Sequence, residues 1–476
     1  MKKIIKYTVI ILAILLASCE NEMEIAIETT QDNCVSTISV CTSNPTTRLS
    51  YIDSDKLEVL WSGTKNGYLE KFDVLEFQDD YENVALQAWR LKSEINNSKI
   101  GTFIIHKDGV VSDIDLKYNH FAFYPLTNYF TNPWHAGSMG TMFPLDCRNQ
   151  GGMLENLQNY HYMYAGNKDF VVESNRLSIH FNTVISALCL SQLRFDGIST
   201  NETVSSFTVI GKNLYTNGAL DLVYEPEKVS FRMYDSDAID IRNCRFIINE
   251  KGILEDKIYM AFLPGQIENI HIIANVNNAL YEYVDNSGKS TEANTLYTMS
   301  NKVLKKRTIP SEVEFVDLGL GVKWANMNVG AITPTDIGST FAYGDPTGVR
   351  QTDYGLPKFQ SIFGTQYDIA SINWNSNWQM PTSNQLLALR NKCDWEWVEN
   401  NGGNGVSGYK VSNKSDATKY IFLPATKEYA YTLYWSGEYS QNSSSYVGMQ
   451  FSSADIQSLH GYADTKCYVR PVYIGD

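Results

Sequence analysis

The chain has 476 residues, enough for three domains at roughly 100–200 residues each, and its 43% apolar and 19% charged residues exclude global disorder. Its 53 acidic and 39 basic residues give a net charge of −14, which removes the electrostatic footing for nucleic-acid binding. The 30 Tyr and 20 Phe beside short apolar runs favour a mainly β, extracellular protein.

At the N-terminus, Lys2, Lys3 and Lys6 precede the apolar run Tyr7 to Ala17. That run is shorter than the ~20 residues a membrane-spanning helix needs, so residues 1–18 read as a signal peptide. Leu16-Ala17-Ser18-Cys19 resembles the lipobox of bacterial lipoproteins, which implies cleavage before Cys19 and its lipidation, palmitate included. Two or three acyl chains anchor a protein stably where one does not, so the implied partner is the outer membrane, reached through the lipid anchor. The acidic start Glu20, Glu22 and Glu24 is similar to the signal that sends some lipoproteins to the outer face, and residues 19–33 would form the tether. Seven further cysteines cannot all pair within one chain. Cys34 with Cys41 and Cys393 with Cys467 are candidate pairs, against buried free thiols as the alternative. Cys189, in the apolar run Ala187 to Leu190, is expected to be reduced in a core strand.

From residue 34 to 304 the chain alternates with the period of two that marks half-buried strands, as in Leu177, Ile179 and Phe181 or Ile270, Ile272, Ala274 and Val276. Asn217-Gly218, between Leu214-Tyr215-Thr216 and Ala219-Leu220-Asp221-Leu222, suits the type I′ turn of a hairpin. Seven motifs follow in order: Thr46-Thr47-Arg48-Leu49, Leu60-Trp61, Phe72 to Phe77, Phe121 to Pro125, Leu177 to Phe181, Tyr259 to Gly265 and Ala293 to Tyr297. Together they resemble the fimbrillin-like family of surface and pilus lipoproteins over roughly residues 31–304. The resemblance implies two β-sandwich domains, 34–188 and 189–304. It also implies that subunits join by strand donation after proteolytic cleavage at a basic residue, for which Arg48 is the candidate.

Lys305-Lys306-Arg307 opens a short basic stretch, 305–312, that reads as a linker. Residues 313–476 hold six of the nine tryptophans and form a third domain. Phe315 to Leu320, Lys323-Trp324-Ala325, Phe341 to Gly344, Trp378 to Thr382, Ile421 to Ala425 and Tyr468 to Val472 make it similar to the FISUMP (Fib-succ-major) domain. That resemblance implies an α+β, C-type-lectin-like fold, with Trp324, Trp378, Trp395 and Trp397 in its core. Independently, Thr382-Ser383-Asn384-Gln385 is a capping box, and Leu386, Leu389, Arg390 and Cys393 recur at helical spacing. A helix is expected over 383–392.

No catalytic residue, cofactor or metal is expected. Gly403 to Gly408 fits GxGxxG but precedes a strand-like run, whereas a dinucleotide site needs the loop to open a helix. The seven histidines show no ligand spacing, and Asp235, Asp237 and Asp240 lack the rest of a calcium loop. Met380-Pro381-Thr382 is also similar to formylglycine-generating enzymes, yet only Cys393 and Cys467 could supply their thiols. Tyr434 to Tyr446, a mixture of Tyr, Ser, Gly and Asn, combines rigid aromatic area with adaptable hydrogen bonding and reads as an exposed loop. Tyr434, Trp435, Tyr439 and Tyr446 are therefore the expected ligand-binding residues. The whole reads as a surface-exposed, lipid-anchored adhesin, a fimbrial tip or accessory subunit whose partners are a host glycan or protein or other pilus subunits. The alternative is a glycan-capturing outer-membrane lipoprotein for nutrient uptake.

Overall fold

The computed structural model describes residues 142–475 apart from 166–168, 174–175, 180, 222–229, 234–237, 350–356 and 402–404. Ahead of residue 142 it describes the backbone of eight strands between Thr37 and Tyr124. The protein is mainly β, as its alternating sequence predicts.

The first unit is a seven-stranded sheet in the order Thr37–Cys41, Ile100–Ile105, Val84–Leu91, Phe72–Phe77, Asn119–Tyr124, Met163–Ala165 and Asn182–Thr183. The second unit opposes two sheets. One has seven strands, with Ile239–Ile248, Glu202–Lys212, Gln266–Val276 and Ala279–Ser290 adjacent in that order. The other is a three-stranded sheet of Ile258–Phe262, Ser186–Ser191 and Leu296–Ser300. Leu188 and Leu190 meet Phe207, Val209, Ile241 and Met260 between the sheets. Ala187 and Cys189 point the other way, into a cluster with Leu145, Leu157, Val184 and Tyr259. Period-two alternation thus fills two cores from one strand, which is why every residue of Ser186–Ser191 is buried.

Three local expectations are corrected. The boundary expected between 188 and 189 falls inside the Ser186–Ser191 strand, whose sheet partners all belong to the second unit. Asn217-Gly218 does not turn: both residues lie in the strand Asn217–Asp221, held extended by Met142–Asp146 on one side, while Ser230–Met233 pairs from Gly218 onward on the other. The left-handed residue of that stretch is Asn213, at φ 59°, in the turn from Gly211 to Leu214. The basic linker begins as the strand Val303–Lys306, which pairs antiparallel with Ala279–Ser290 and parallel with Arg194–Phe195 and buries Leu304.

The next residue, Arg307, fastens the third unit. Its Nε donates to Glu282 Oε2 at 2.7 Å, and its Nη1 and Nη2 donate to Asn373 Oδ1 at 2.9 Å and the Thr347 carbonyl at 3.2 Å. Beside it Ile372 packs on Ile273 and Leu280. The third unit contains a sheet of Phe315–Asp317, Lys323–Ala325, Val472–Tyr473 and Trp378–Gln379, in which the second strand, Lys323–Ala325, pairs with the last, Val472–Tyr473. Two three-stranded antiparallel sheets, Cys393–Val398 with Gly408–Asn413 and Asp416–Pro424, and Thr432–Ser440 with Ser445–Phe451 and Ile456–Gly461, complete it with two helices. The helix Ser383–Lys392 starts as its sequence predicts: Gln385 N–H donates to Thr382 Oγ1 at 3.2 Å, and Thr382 N–H donates back to Gln385 Oε1 at 2.8 Å. Leu386 and Leu389 form its buried face.

The Arg307 contact carries a pH signature. Burial alone would raise the Glu282 pKa, but the His271 hydrogen bond and the Arg307 charge more than offset it and hold the group down at about 2, below its ordinary 4.5. A depressed carboxylate stabilises the fold fully above the unfolded value and progressively less as the pH falls through the folded one. Urea unfolding of the wild type and Glu282→Gln should therefore differ above about pH 4.5 and converge as the pH approaches about 2. An undiminished difference at the acid end contradicts this assignment.

Candidate functional site

The stretch Tyr434 to Tyr446 is a hairpin, not an exposed loop. Thr432–Ser440 and Ser445–Phe451 pair antiparallel, with an irregularity between Trp435 and Tyr439, and the residues outside the strands are Gln441 to Ser444. Tyr434 and Trp435 are fully buried and Tyr446 is 6% exposed. Tyr434 stacks on Phe451 in the cluster that includes Leu386, Leu389 and Tyr409. Its hydroxyl accepts from Asn328 Nδ2 at 2.9 Å. Trp435 enters a second cluster with Phe341, Trp378 and Leu459, meets Tyr343 edge-on and donates from Nε1 to the Phe341 carbonyl at 3.0 Å. The strand is covered on both faces, so consecutive aromatics are both internal.

These contacts correct the expected ligand-binding set: Tyr434, Trp435 and Tyr446 pack the core, where a ligand cannot reach them. The small residues that read as a loop are there for close approach. A Cβ on Gly437 would lie 2.8 Å from Phe363 Cβ, one on Gly448 would strike the Tyr434 carbonyl, and Ser436 Oγ donates to the Val447 carbonyl at 2.7 Å.

Tyr439 remains half-buried, packed on Phe359 and Tyr446, and lines a groove between the capped helix and the hairpin sheet. The groove holds about 450 Å³, within the roughly 300–1,000 Å³ usual for ligand sites. Asn384, Leu387 and Arg390 line it from the helix, Gln441 and Asn442 from the hairpin tip, and Gln457 and His460 from the neighbouring strand. Leu387 is 45% exposed. Glu438 also lines it, but its carboxylate accepts from the N–H and hydroxyl of Ser383 and so caps the helix start. His460 Nδ1 bonds Ser445 Oγ at 2.9 Å. Asn384, Leu387 and Arg390 stand at i, i+3 and i+6 on one face of the helix, but the helical spacing in the sequence groups Arg390 with Leu386, Leu389 and Cys393 and singles out neither Asn384 nor Leu387. His460 carried no such signal.

A second cavity of about 450 Å³ opens in the second unit beside Leu296–Ser300, an edge strand of its sheet. Phe262, Ile267, Ile270, Tyr297 and Met299 line it, with Lys289 and Lys302 also at its walls. Cys19 and Arg48 lie outside the described residues, as do Cys34 and the side chain of Cys41. Cys393 and Cys467 do not pair: both are free, buried thiols, and burial raises the pKa of each, that of Cys393 to about 11. Gly408 opens a strand rather than a helix, and no group of three metal-ligating side chains occurs among the described residues.

No protein-family profile matches the chain, and no curated protein matches it. Among solved structures, it is similar to a candidate cell adhesion protein of Bacteroides ovatus at 11% identity, covering 52% of this chain and 89% of that one, with a TM-score of 0.32. A fimbrial protein of the same species matches at 11% identity over 87% of this chain and 95% of that one, with a TM-score of 0.26. A fimbrial assembly protein of Parabacteroides distasonis matches at 5% identity over 51% and 88%, with a TM-score of 0.23.

The division between packing and groove residues is measurable. Tyr434→Ala or Trp435→Ala should lower unfolding stability by about 3–5 kcal/mol, the range for truncating a buried aromatic. Tyr439→Ala should cost several-fold less. Equal losses from all three in chemical denaturation would place Tyr439 in the core as well.

Proposed function

We propose that this chain is a surface-exposed, lipid-anchored adhesin, a tip or accessory subunit of a fimbrium, whose third unit presents a ligand groove. The observation that carries the proposal is the preformed cavity between the helix Ser383–Lys392 and the hairpin, open to solvent and walled by amides and hydroxyls around apolar contacts that include Leu387 and Tyr439. A wall of that kind suits a partner with many hydroxyl groups and modest apolar faces, as a host glycan has. Of the expected site residues, Tyr439 keeps a role in contact with the ligand. Anchoring rests on Leu16-Ala17-Ser18-Cys19, and Arg48 is the proposed processing site.

Contact with other pilus subunits has its own support. The edge strand Leu296–Ser300 beside an apolar cavity suits a strand supplied by a neighbouring subunit, whose backbone would extend the sheet while its side chains fill the gap. The glycan-capturing alternative uses the same groove but needs no such edge.

The test joins anchor and groove. The full mature chain, applied to a glycan and host-protein array, should bind through the groove, and Leu387→Ala with Tyr439→Ala should weaken that binding at least tenfold. Cells carrying Cys19→Ala should lose both alkyne fatty-acid labelling and adhesion. Undiminished binding by the groove variant, or adhesion that survives loss of the lipid, overturns the proposal.

A further inference from the structure

The charge of the groove narrows its ligand class. Arg390 stands half-buried in the last turn of the capped helix and makes no ion pair or side-chain hydrogen bond among the described residues. The acid of the groove, Glu438, accepts from Ser383 at the opposite end of the helix and forms no ion pair with Arg390 among the described residues. Beside Arg390 the groove is lined by neutral amides and by His460, whose Nδ1 is held by Ser445. A solvated cation on an open surface would need no explanation. Here the cation lies in a concave wall of a chain with a net charge of −14, where acids outnumber bases.

The chemistry of the side chain selects its partner. A guanidinium presents a planar fork of N–H donors that fits a carboxylate or sulfate through two parallel bonds, and partial burial strengthens the pairing. An acidic peptide would also satisfy the fork, but the remaining wall favours a sugar. Amides at Asn384, Gln441, Asn442 and Gln457 match hydroxyls, and the Tyr439 ring and Leu387 offer flat apolar area to a pyranose face.

We infer that the groove binds an acidic glycan, with the carboxylate or sulfate of the sugar paired to Arg390. This inference rests on the groove being the ligand site, as proposed above. Arg390 supplies charge and orientation, and the amides with Leu387 and Tyr439 supply the fit to the ring.

The experiment titrates the full mature chain with three oligosaccharides of similar length: a chondroitin sulfate hexasaccharide, a hyaluronan hexasaccharide and neutral chitohexaose. At least one acidic oligosaccharide should bind ten or more times tighter than chitohexaose. Arg390→Gln should remove that preference, Arg390→Lys should restore part of it, and added salt should weaken it in the wild type and in Arg390→Lys. The two acidic probes separate sulfate from carboxylate as the recognised group. Arg390 is half-exposed, so the variants should melt as the wild type does, and a melt in parallel checks this. Chitohexaose binding as tightly as both acidic sugars, or a preference unchanged in Arg390→Gln, overturns the inference. If Leu387→Ala with Tyr439→Ala still weakens binding in that case, the groove stands as the site and only its charge preference falls. If neither variant matters, both readings fall together.

Discussion

The third unit is organised around one buried cation. Arg470 is 1% exposed, and its guanidinium faces no carboxylate; instead Nε donates to Asn328 Oδ1 at 2.8 Å, Nη1 to the Ala325 carbonyl at 3.0 Å and Nη2 to the Phe422 carbonyl at 2.7 Å. Burial pulls its pKa down to about 10, with the Tyr434 hydroxyl opposing the shift, so the group stays charged at neutral pH. Those acceptors come from the strand Lys323–Ala325, the segment after it and the strand Asp416–Pro424. Asn328 then passes the constraint on, donating to the Tyr434 hydroxyl and to the Ile337 carbonyl at 2.7 Å. Loss of Arg470 would remove three buried hydrogen bonds, and each buried acceptor left without a partner costs about 1–3 kcal/mol.

The groove depends on this arrangement from both sides. Tyr434, held by Asn328, packs the cluster that includes Leu386 and Leu389 and so seats the capped helix. Trp435, one residue on, packs the opposite cluster and fixes the strand from which Glu438 reaches the helix start. Floor and wall are therefore positioned by buried contacts, while Asn384, Leu387, Arg390 and Tyr439 remain available on the surface they create. A ligand would meet an ordered site and would pay little for organising it. Arg307 extends the same logic outward: one guanidinium joins Glu282 of the second unit to Asn373 and Thr347 of the third, so the third unit is fastened to the second by side-chain contacts.

Local signals with a complete physical mechanism were readable in the sequence. The capping box at Thr382 and Gln385 needs two side chains and two backbone N–H groups within four residues, and it forms as written. The alternation around Ser186–Ser191 needed only the period of a strand, and Cys189 is buried in it as expected. What failed depended on distant partners. Asn217-Gly218 has the chemistry of a turn, but strands from before and after it in the chain hold it extended. Gly437 and Ser436 have the composition of a loop, but they are small because Phe363 and Val447 lie against them. The groove itself was half legible, since its helical wall follows from the periodicity of Ser383–Lys392 while its other wall exists only after the hairpin folds back.

The central claim is that buried aromatics shape a surface groove in which Arg390 and Tyr439, not Tyr434 or Trp435, meet the ligand. A crystal structure of the full mature chain with a bound chondroitin sulfate hexasaccharide tests it most directly. The account predicts the sugar between the helix Ser383–Lys392 and the hairpin, an acidic group on Arg390, and Tyr434 and Trp435 unmoved in the core. A sugar seated elsewhere with the groove empty, or a hairpin opened to expose Trp435, would contradict it.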